Sequence, residues 1–515
     1  MQWSQYQTDI FEEAARDTTD NVAVVARAGC GKTTSLIEAL KHVPYRRVLL
    51  CAFNKSIQTE MERRAPANVL TRTLHSLGLR IHQTNLRGGR ADVTPDKAKE
   101  QSRDLLRQND RYLPLTRGIG FDGRVDPNRR LYEAAGRVRR LVSYAKNVLV
   151  DQEEDLVRLV GQLDLDEDDF DPNLLVHAGQ SLMERAAEDR YHVDFDDMVW
   201  FPYRFGYGVE PGTEMLRFDA VMVDEAQDLN PAQLWMVGKM RYNGRVIGFL
   251  DDRQCIYAFR GADRDAISQI IGDPRAKRLP LSISYRCPVS VVEKARLVVP
   301  DIEPASDARE GTVRLDEYGD MLDEAAPGDF ILSRTNAPLM ATCLALLKRD
   351  KPATVAGRDI GQSLMKLINK SKATTINELH EWLAQWLAEQ HDKYMPDAEE
   401  RFARAVDRVE GLRAVASHCM SVSDVRSKLD QLFSDDVPEH KIVCSTVHKA
   451  KGLERDTVWM LHDTFGYPDP KRWQDSWSEE NIWYVAVTRS RDTLRFVETE
   501  MQRIVKPKPR TRRRI

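Results

Sequence analysis

The residues of this chain best suited to chemistry lie in the stretch 21–34, NVAVVARAGCGKTT. Gly29 and Gly31 permit backbone conformations that other residues avoid, so successive amides can turn inward around a phosphate. A helix that begins after them adds the positive end of its dipole. Lys32 is then placed to reach the β- and γ-phosphates, and the Thr33 hydroxyl to bind Mg²⁺. The spacing therefore predicts a nucleotide-binding loop.

The context of this loop supports the prediction. The β-branched residues Val22, Val24 and Val25 predict a strand before it, and the stretch 35–40 has helical character after it. Ala26 stands where the usual pattern has its first glycine and keeps the side chain small. We expect a nucleotide to contact the loop residues Ala28, Gly29, Cys30, Gly31, Lys32, Thr33 and Thr34.

An acidic pair follows a second apolar run, FDAVMV at 218–223. A carboxylate at the end of a buried strand beside a phosphate loop can hold Mg²⁺, and a second one can orient or deprotonate attacking water. Asp224 and Glu225 fit these two roles. The apolar residues directly before the pair favour a site over a solvated acidic surface.

Another predicted strand, 245–250, ends in the segment DDRQCIYAFRGAD. Gln254 is an uncharged group that can sense a γ-phosphate. Tyr257, Phe259 and Arg260 combine aromatic faces with positive charge, and such aromatics stack on bases at about 1–3 kcal/mol each. Core packing is the default for either aromatic alone, but their position after Gln254, at the rim of a sheet, favours nucleic-acid contact.

Two further sites could complete a nucleotide pocket. The Gln7 amide presents a donor and an acceptor, as an adenine edge does, although a lone glutamine is more often solvated. Tyr285 and Arg286 follow a segment, 272–280, that the sequence predicts to be a linker. An arginine that reaches across from a second domain can stabilise charge on the transferring phosphoryl group.

The elements that would position these residues form two α/β patterns. In the first, the predicted strands 47–53 and 69–77 carry Phe53 and His75 towards the rim where α/β sheets bind ligands. Taken singly, a core aromatic and a satisfied loop histidine are the simpler interpretations. The second pattern comprises the segments 329–336, 441–454 and 483–491.

Two helical stretches interrupt these patterns. The stretch 80–191 is polar and charged, and its acidic run at 164–171 is expected to be a solvated loop. The stretch 357–433 carries an apolar stripe that predicts core or interdomain packing rather than a binding face. The stripe consists of Leu379, Trp382, Leu383, Trp386 and Leu387.

Composition sets the class of protein. The 515 residues suggest roughly three to four domain-sized units, and 42% apolar and 30% charged residues are typical of a soluble globular chain. A net charge of −4 gives no global basic field, so any nucleic-acid surface must be local. The basic tail 503–515 could grip phosphates, address a nucleus or simply solubilise the chain.

Cysteine usage and the N-terminus point to a compartment. Seven scattered cysteines without a CxxC pair favour a reducing environment and disfavour a zinc module. The first residues lack a signal pattern, and no apolar run approaches the length of a membrane span. We expect a cytoplasmic protein without membrane contact, associated with the nucleoid, or nuclear if the source is eukaryotic.

Taken together, the motifs resemble those of the UvrD/Rep-type superfamily 1 helicases in order and spacing. The segments that match, in chain order, are Gln7, AxxGxGKT, AFNKS, TRTLHSL, DFDDMV, VDEAQD, DDRQCIYAFRGAD, SYRCP, SRTN, TVHKAKGLE and YVAVTRSR. AFNKS and TVHKAKGLE are similar to the compact F-box-helicase-like and phage branch. Arg253 and Cys255 depart from the family, which commonly has Asp and Ser there.

The resemblance implies ATP hydrolysis in a cleft between two RecA-like domains, with Mg²⁺. Lys32, Thr33, Asp224 and Glu225 would act from the first domain, and Gln254 would sense the γ-phosphate. Arg286 and Arg489 would cross from the second domain as γ-phosphate ligands. The adenosine contacts implied by the family are Tyr285 stacked on adenine, Gln7 at its edge and Glu454 at the ribose.

The resemblance also implies a path for single-stranded DNA and 3′ to 5′ movement along it. The expected contacts are Phe53, Asn54, His75, Tyr257, Phe259, Arg260, Arg334, Thr446 and His448. The expected fold is α/β, with two RecA-like parallel-sheet P-loop domains and inserted helical accessory domains. We assign 1–80 and 192–280 to motor domain 1A, 81–191 to accessory domain 1B, 281–356 and 434–502 to motor domain 2A, 357–433 to a reduced accessory domain 2B, and 503–515 to the tail.

Three functions compete at this stage. The first is an ATP-driven DNA helicase that acts on single-stranded and 3′-tailed duplex DNA in replication, repair or recombination. The second is a DNA-stimulated ATPase module of a recombination-limiting or phage-defence assembly, with a protein partner and little unwinding. A phosphate-loop kinase or GTPase would explain only the first loop and the acidic pair, and would leave Arg286 and the later motifs without a role.

Overall fold

A computed structural model describes residues 3–52, 55–116, 127–166, 170–241, 243–256, 276–394, 399–434, 438–465 and 476–499. Contacts divide the chain into two compact units at Leu281 and Ser282. The short segment Arg27–Cys30 clusters with the second unit. The expected α/β class is confirmed, because each unit contains an all-parallel sheet.

The sheet of the first unit has six strands in the order β3-β2-β6-β7-β1-β8. Their bounds are β1 Val22–Ala26, β2 Val48–Ala52, β3 Val69–Thr73, β6 Ala220–Val223, β7 Arg245–Leu250 and β8 Lys277–Leu281. A two-stranded pair, β4 (Asp92–Val93) and β5 (His192–Val193), lies in the helical insertion. The inner strands are apolar and almost wholly buried, as parallel strands covered on both faces must be. The ends of β6, β7 and β1 therefore meet at one rim of the sheet.

Two expectations about this sheet are corrected. Residues 277–280, predicted as linker, belong to strand β8, which pairs with β1 at the edge of the sheet. Pro280 is tolerated there because an edge strand need not donate on both sides. The strand predicted to run from Val69 to Leu77 ends at Thr73, because the Thr73 hydroxyl accepts from the Ser76 amide and starts a helix.

The described helices of the first unit cover the sheet and form an insertion. They are α1 Gln5–Ala14, α2 Lys32–Leu40, α3 Lys55–Arg64, α4 Leu74–Thr84, α5 Lys97–Gln108, α6 Leu113–Thr116, α7 Pro127–Val148, α8 Glu153–Gln162, α9 Pro172–Glu188, α10 Phe195–Arg204 and α11 Pro231–Met240. Helices α5 to α9 bury a core of their own, distinct from the apolar cluster on the sheet. Helix α10 contributes to both, since Val199 packs on the sheet and Phe201 in the insertion.

A buried ionic cluster fastens the insertion to α10. Asp197 accepts from Lys97 Nζ at 2.7 Å and from Lys146 Nζ at 2.6 Å, and all three side chains are almost completely buried. Burial opposes the charge on Lys146, but Asp197 outweighs it and raises the pKa of Lys146. Loss of one partner would leave a buried charge uncompensated, so this cluster fixes α5 and α7 against α10.

The sheet of the second unit has seven parallel strands in the order β11-β17-β16-β12-β15-β13-β14. Their bounds are β11 Thr312–Asp316, β12 Phe330–Ser333, β13 Ala353–Ala356, β14 Phe433–Ser434, β15 Ile442–Thr446, β16 Arg455–Leu461 and β17 Ser490–Val497. A short parallel pair, β9 (Ile283–Ser284) and β10 (Glu303–Pro304), precedes them. Strand β12 is wholly buried at the centre of the sheet.

The helices of the second unit include those of the predicted insertion at 357–433. The described ones are α12 Val289–Ala295, α13 Tyr318–Glu324, α14 Ala337–Leu347, α15 Arg358–Ser371, α16 Ile376–Tyr394, α17 Glu399–Ala416, α18 Val422–Leu432, α19 Val447–Ala450 and α20 Ser476–Val487. Leu379, Leu383 and Trp386 are buried in the same cluster as sheet residues such as Ile331. The core packing predicted for this stripe is confirmed, and these helices share one core with the sheet.

Candidate functional site

The phosphate loop leads into α2 through Gly31, whose left-handed backbone (φ 72°) suits glycine. Gly31 is the N-cap residue of α2, and because glycine has no side chain it makes no side-chain hydrogen bond to the first turn of the helix. Lys32 points back to the end of β6, where its Nζ lies 2.6 Å from Glu225 Oε2. Burial opposes the charge on Lys32, but Glu225, Asp224 and Asp251 together raise its pKa above the usual value. The lysine is thus held in its charged form beside the rim of the sheet.

Asp224 ends β6 and is buried, with 4% of its surface exposed. Its Oδ2 lies 3.2 Å from Thr33 Oγ1, and its Oδ1 accepts from the Glu225 amide at 3.0 Å. Burial and the neighbouring Glu225 raise the pKa of Asp224 to about 6, although Lys32 opposes this. A hydroxyl and a carboxylate oxygen so close together are the hard donors that Mg²⁺ prefers, and a cation would relieve the excess negative charge. These two residues fit the expected metal.

Glu225 adopts a left-handed conformation (φ 49°) that is uncommon outside glycine. In this conformation the Glu225 carboxylate accepts a hydrogen bond from Lys32 Nζ. A strained backbone at the end of a strand is often found at functional sites, because the surrounding hydrogen bonds must hold it. Here the Asp224 carboxylate accepts from the Glu225 amide and so stabilises the turn.

Gln227, which sequence reasoning left without a role, connects the acidic pair to the end of β7. Its Nε2 donates to Glu225 Oε2 at 2.6 Å, and its Oε1 accepts from the Asp251 amide at 3.1 Å. Asp251 Oδ2 in turn accepts from Gln254 Nε2 at 2.8 Å. The chain Glu225–Gln227–Asp251–Gln254 is therefore continuous. The signal in the sequence was a polar residue inside the VDEAQD segment, directly after a buried strand.

Gln7 lies near the start of α2. Its Oε1 accepts from the Ser4 amide in a capping box that begins α1, and its Nε2 donates to Ser35 Oγ at 2.9 Å. The side chain is 4% exposed. The amide thus ties α1 to the first turns of α2, and its expected contact with an adenine edge stays a prediction.

In the second unit, the segment Arg27–Cys30 contacts the turn after β9 and helix α20. The Ala28 amide donates to Tyr484 Oη at 2.9 Å, and Gly29 O accepts from the Tyr285 amide at 2.9 Å. A Cβ on Gly29 would lie 2.5 Å from Arg286 Cβ, and the φ of Gly29 is +73°. Only glycine fits here, for reasons of both space and conformation. The Tyr285 side chain is 51% exposed.

Two arginines expected at the γ-phosphate lie in this unit. Arg286 Nε is 2.5 Å from Glu454 Oε2, and the expected contact of Glu454 with a ribose stays a prediction. Arg489 is 2% exposed, and its guanidinium donates to the carbonyls of Val485 and Leu453. Burial, followed by repulsion from Arg286, lowers the pKa of Arg489 to about 10. The two like charges would be relieved by an anion.

His75, an expected DNA contact, lies in the first turn of α4 rather than at a strand end. Burial lowers its pKa, and Asp196 opposes the shift. Phe195, the first residue of α10, is 56% exposed. Helix α4 packs against α10, and Asp196 of α10 is the charged group that acts on His75.

Arg334, Thr446 and His448 lie at the rim of the second sheet. Ser333 pairs with Thr446 in the register of β12 and β15, so the residues after these strands are neighbours. Arg334 Nη2 is 2.8 Å from Glu479 Oε1, and the arginine side chain remains 34% exposed. Thr446 is nearly buried and precedes α19, which carries His448.

Several expected contacts lie outside the described residues. They are Phe53, Asn54, Tyr257, Phe259, Arg260 and the tail 503–515. Across the parts of the chain that the structure does describe, no helix has the length and apolarity needed to cross a membrane. All seven cysteines lie in the described part, and none of them forms a disulfide there.

Family models match most of the chain. The UvrD/REP helicase N-terminal domain matches residues 8–275, and the UvrD-like helicase C-terminal domain matches residues 362–500. The two parallel sheets, of six and seven strands, agree with the two RecA-like domains of such proteins.

Individual relatives agree with this match. F-box DNA helicase protein 1 of Schizosaccharomyces pombe is 24% identical over 505 residues, which cover 92% of this chain and 55% of the relative. F-box DNA helicase 1 of Gallus gallus is 23% identical over 513 residues, covering 92% of this chain and 47% of the relative. ATP-dependent DNA helicase PcrA of Bacillus subtilis is 25% identical over 309 residues, covering 56% and 39%. The chain spans about half the length, or less, of these relatives, and it belongs to the UvrD/REP helicase family.

Proposed function

We propose that this protein is an ATP-dependent DNA helicase or translocase that moves 3′ to 5′ along single-stranded DNA, in replication, repair or recombination. The observation that carries the proposal is the rim of the first sheet, where Lys32, Thr33 and Asp224 lie beside the strained Glu225. Two relatives, whose similarity covers 92% and 56% of this chain, are named as DNA helicases, and this supports the same activity.

The residues of the first unit have distinct roles in the proposed hydrolysis. The loop amides and Lys32 bind the triphosphate, which takes Lys32 away from Glu225. Glu225 is then able to accept a proton from the attacking water, while Gln227 still holds its carboxylate. Thr33 and Asp224 would hold Mg²⁺, which supplies charge neutralisation at the phosphates.

Residues of the second unit complete the proposal. Arg286 and Arg489 contact the γ-phosphate and stabilise the charge that develops during transfer. Tyr285 stacks on adenine, and Glu454 contacts the ribose once Arg286 has turned to the phosphate. Gln254 senses the γ-phosphate and couples phosphate binding to the residues that follow Gln254 in the chain.

The proposed DNA contacts include residues of both units. His75 and the exposed Phe195 serve the first unit, with Phe53, Asn54, Tyr257, Phe259 and Arg260 as further contacts from the sequence motifs. Arg334, Thr446 and His448 serve the second. Base stacking on aromatics and phosphate contacts by basic side chains are tolerant of sequence, as a translocase requires.

A direct test uses the purified chain with labelled strands. We expect single-stranded DNA to stimulate ATP hydrolysis, and a 3′-tailed duplex to be unwound in preference to a 5′-tailed one. RNA tails of both polarities would define the nucleic-acid preference. Glu225→Gln serves as the control that binds ATP but turns it over slowly. ATPase activity that does not respond to single-stranded DNA would refute the proposal.

A second candidate is a DNA-stimulated ATPase with little unwinding of its own, acting within a larger assembly. The observation that favours it is that, among the described residues, the helices 357–433 and the second sheet share one apolar core. The same unwinding assay separates the two candidates, since strong strand displacement by the isolated chain counts against the second.

A further inference from the structure

The loop between β12 and α14 contains Arg334 and is held by side chains at every amide. The Arg334 amide donates to Thr464 Oγ1 at 3.1 Å, and the Thr335 amide donates to Ser333 Oγ at 3.2 Å. The next two amides, of Asn336 and Ala337, both donate to the carboxylate of Asp407. Four consecutive amides are therefore satisfied before the helix begins.

Asp407 makes the larger share of these contacts. Its Oδ1 accepts from the Asn336 amide at 3.0 Å and from the Ala337 amide at 2.9 Å, and its Oδ2 accepts from Asn336 Nδ2 at 2.9 Å. A carboxylate at this place also faces the positive end of the α14 dipole. Asn336 itself gives α14 no side-chain cap, so the cap comes from a residue 71 positions later.

The helix that presents Asp407 is fixed in place. Helix α17 packs along α14, and at Gly411 the approach leaves no room for a Cβ beside Met340 Cε. On the other side of the loop, the guanidinium of Arg334 pairs with Glu479 of α20. Arg334 is thus held at its backbone through the loop and at its tip by a carboxylate.

We propose that Asp407 is a positioning residue for DNA binding: it fixes the loop 333–336 so that Arg334 faces the bound single-stranded DNA. The inference rests on the proposed function, because it takes Arg334 as a phosphate contact. It gives the helices 357–433 a task within this chain, namely to hold a contact loop from behind. Glu479 keeps Arg334 in place until a phosphate competes for the guanidinium.

The first arm of the test measures the loop without DNA. Hydrogen exchange at the amides of Asn336 and Ala337 is compared in wild type and Asp407→Asn, whose side chain keeps its size but loses the charge. We expect exchange to become about tenfold faster in the variant, which corresponds to one weakened hydrogen bond. Unchanged exchange at both amides would overturn the inference, whatever the protein does with DNA.

The second arm measures the concentration of single-stranded DNA that gives half-maximal ATPase stimulation. Asp407→Asn should raise it about tenfold, with a smaller change in the rate at saturating DNA, because a misplaced phosphate contact weakens binding first. In an Arg334→Ala background the same substitution should add less than about twofold, since the contact it positions is gone. Additive effects of the two substitutions would overturn the inference.

Two controls separate positioning from general loss of structure. Glu410 lies on the same helix as Asp407 and pairs with Arg413. Glu410→Gln removes this carboxylate and should leave both readouts at wild-type values. Val409→Ala opens a cavity in the shared core and should lower the melting temperature without changing the DNA concentration needed. If Val409→Ala shifts the DNA readout as much as Asp407→Asn does, the inference fails. Wild-type ATPase that ignores DNA would instead overturn the proposed function.

Discussion

Two turns of the same kind, each joining a buried parallel strand to a helix, differ in what meets the start of the helix. In the turn from β1 to α2, Gly31 brings no side-chain cap, and the neighbouring charges are Lys32 and the acidic pair. In the turn from β12 to α14, side chains accept from every amide between Arg334 and Ala337. The first turn is suited to an anion from outside, and the second has an anion built in.

The carboxylates beside the two turns, Asp224 and Asp407, also differ in their surroundings. At the first turn, burial and Glu225 disfavour the charged form of Asp224, so its pKa rises to about 6. At the second, the Asp407 carboxylate accepts hydrogen bonds from the Asn336 and Ala337 amides at the start of α14. The first turn therefore gives up stability at the place where a ligand is proposed to bind, whereas the second contributes to stability.

The largest expected effect comes from Lys32→Ala. ATP turnover should fall about 1,000-fold, because the variant loses the cation that binds the phosphates and balances the acidic pair. Steady-state ATPase at saturating DNA measures this. Lys41→Ala is a matched control, since Lys41 lies just after the same helix and pairs with Glu38 at the surface. Turnover within tenfold of wild type would show that the first turn is not a phosphate site.

Asp224→Asn should make the protein more stable without ligands, by up to about 3 kcal/mol near pH 7, since a pKa shift of two units has that size. The direction of this change follows from linkage between ionisation and folding. Because the pKa of Asp224 is raised in the folded protein, ionisation of its carboxyl lowers the stability of the folded state above about pH 6. As the pH falls from 7 to 4, the wild-type group binds its proton and the difference should disappear.

Urea unfolding of both proteins across this pH range, without nucleotide or Mg²⁺, measures the effect. Asp219→Asn is a control at the other end of the same strand, since Asp219 precedes β6 and pairs with Arg47 at the surface. If Asp224→Asn is less stable than wild type at pH 7, the first turn is not under electrostatic strain, and the contrast with the second turn fails.

Gln227→Ala tests how Glu225, the proposed catalytic carboxylate beside the first turn, is held in place. We expect the maximal rate of ATP hydrolysis to fall about tenfold, or 1.4 kcal/mol, because Glu225 loses the hydrogen bond that remains when Lys32 moves to phosphate. The KM for ATP should change little, since Gln227 does not touch the loop amides. Gln233→Ala is the control, because Gln233 accepts from the Asn230 amide at the start of the next helix. A normal rate would remove Gln227 from the mechanism.

The sequence predicts much of this, and the reasons for its failures are physical. Strand 245–250 is found as predicted, since parallel strands covered on both faces are uninterrupted apolar runs. Strand β8 was missed because Lys277, Arg278 and Pro280 do not form such a run, and an edge strand needs none. The charged loop residues followed from local spacing. Asp407 could not be found in this way, because its partners lie 70 and 71 positions away and meet it only through helix packing.

The smallest expected effect tests whether the second turn, from β12 to α14, is a structural unit. Thr464 Oγ1 accepts from the Arg334 amide and from Ser333 Oγ, and donates to Leu461 O at 2.6 Å. Thr464→Val keeps the shape but removes these bonds, so unfolding free energy should fall by about 1 kcal/mol. Thr493→Val is the control, because the Thr493 hydroxyl donates to the neighbouring Asp492. Since Thr464 holds the Arg334 amide and Asp407 the Asn336 amide of the same short loop, their substitutions should be non-additive by about 0.5 kcal/mol or more if the loop acts as one unit. Strict additivity in urea unfolding would mean that the two side chains hold separate parts of the loop, and the second turn would lose its contrast with the first.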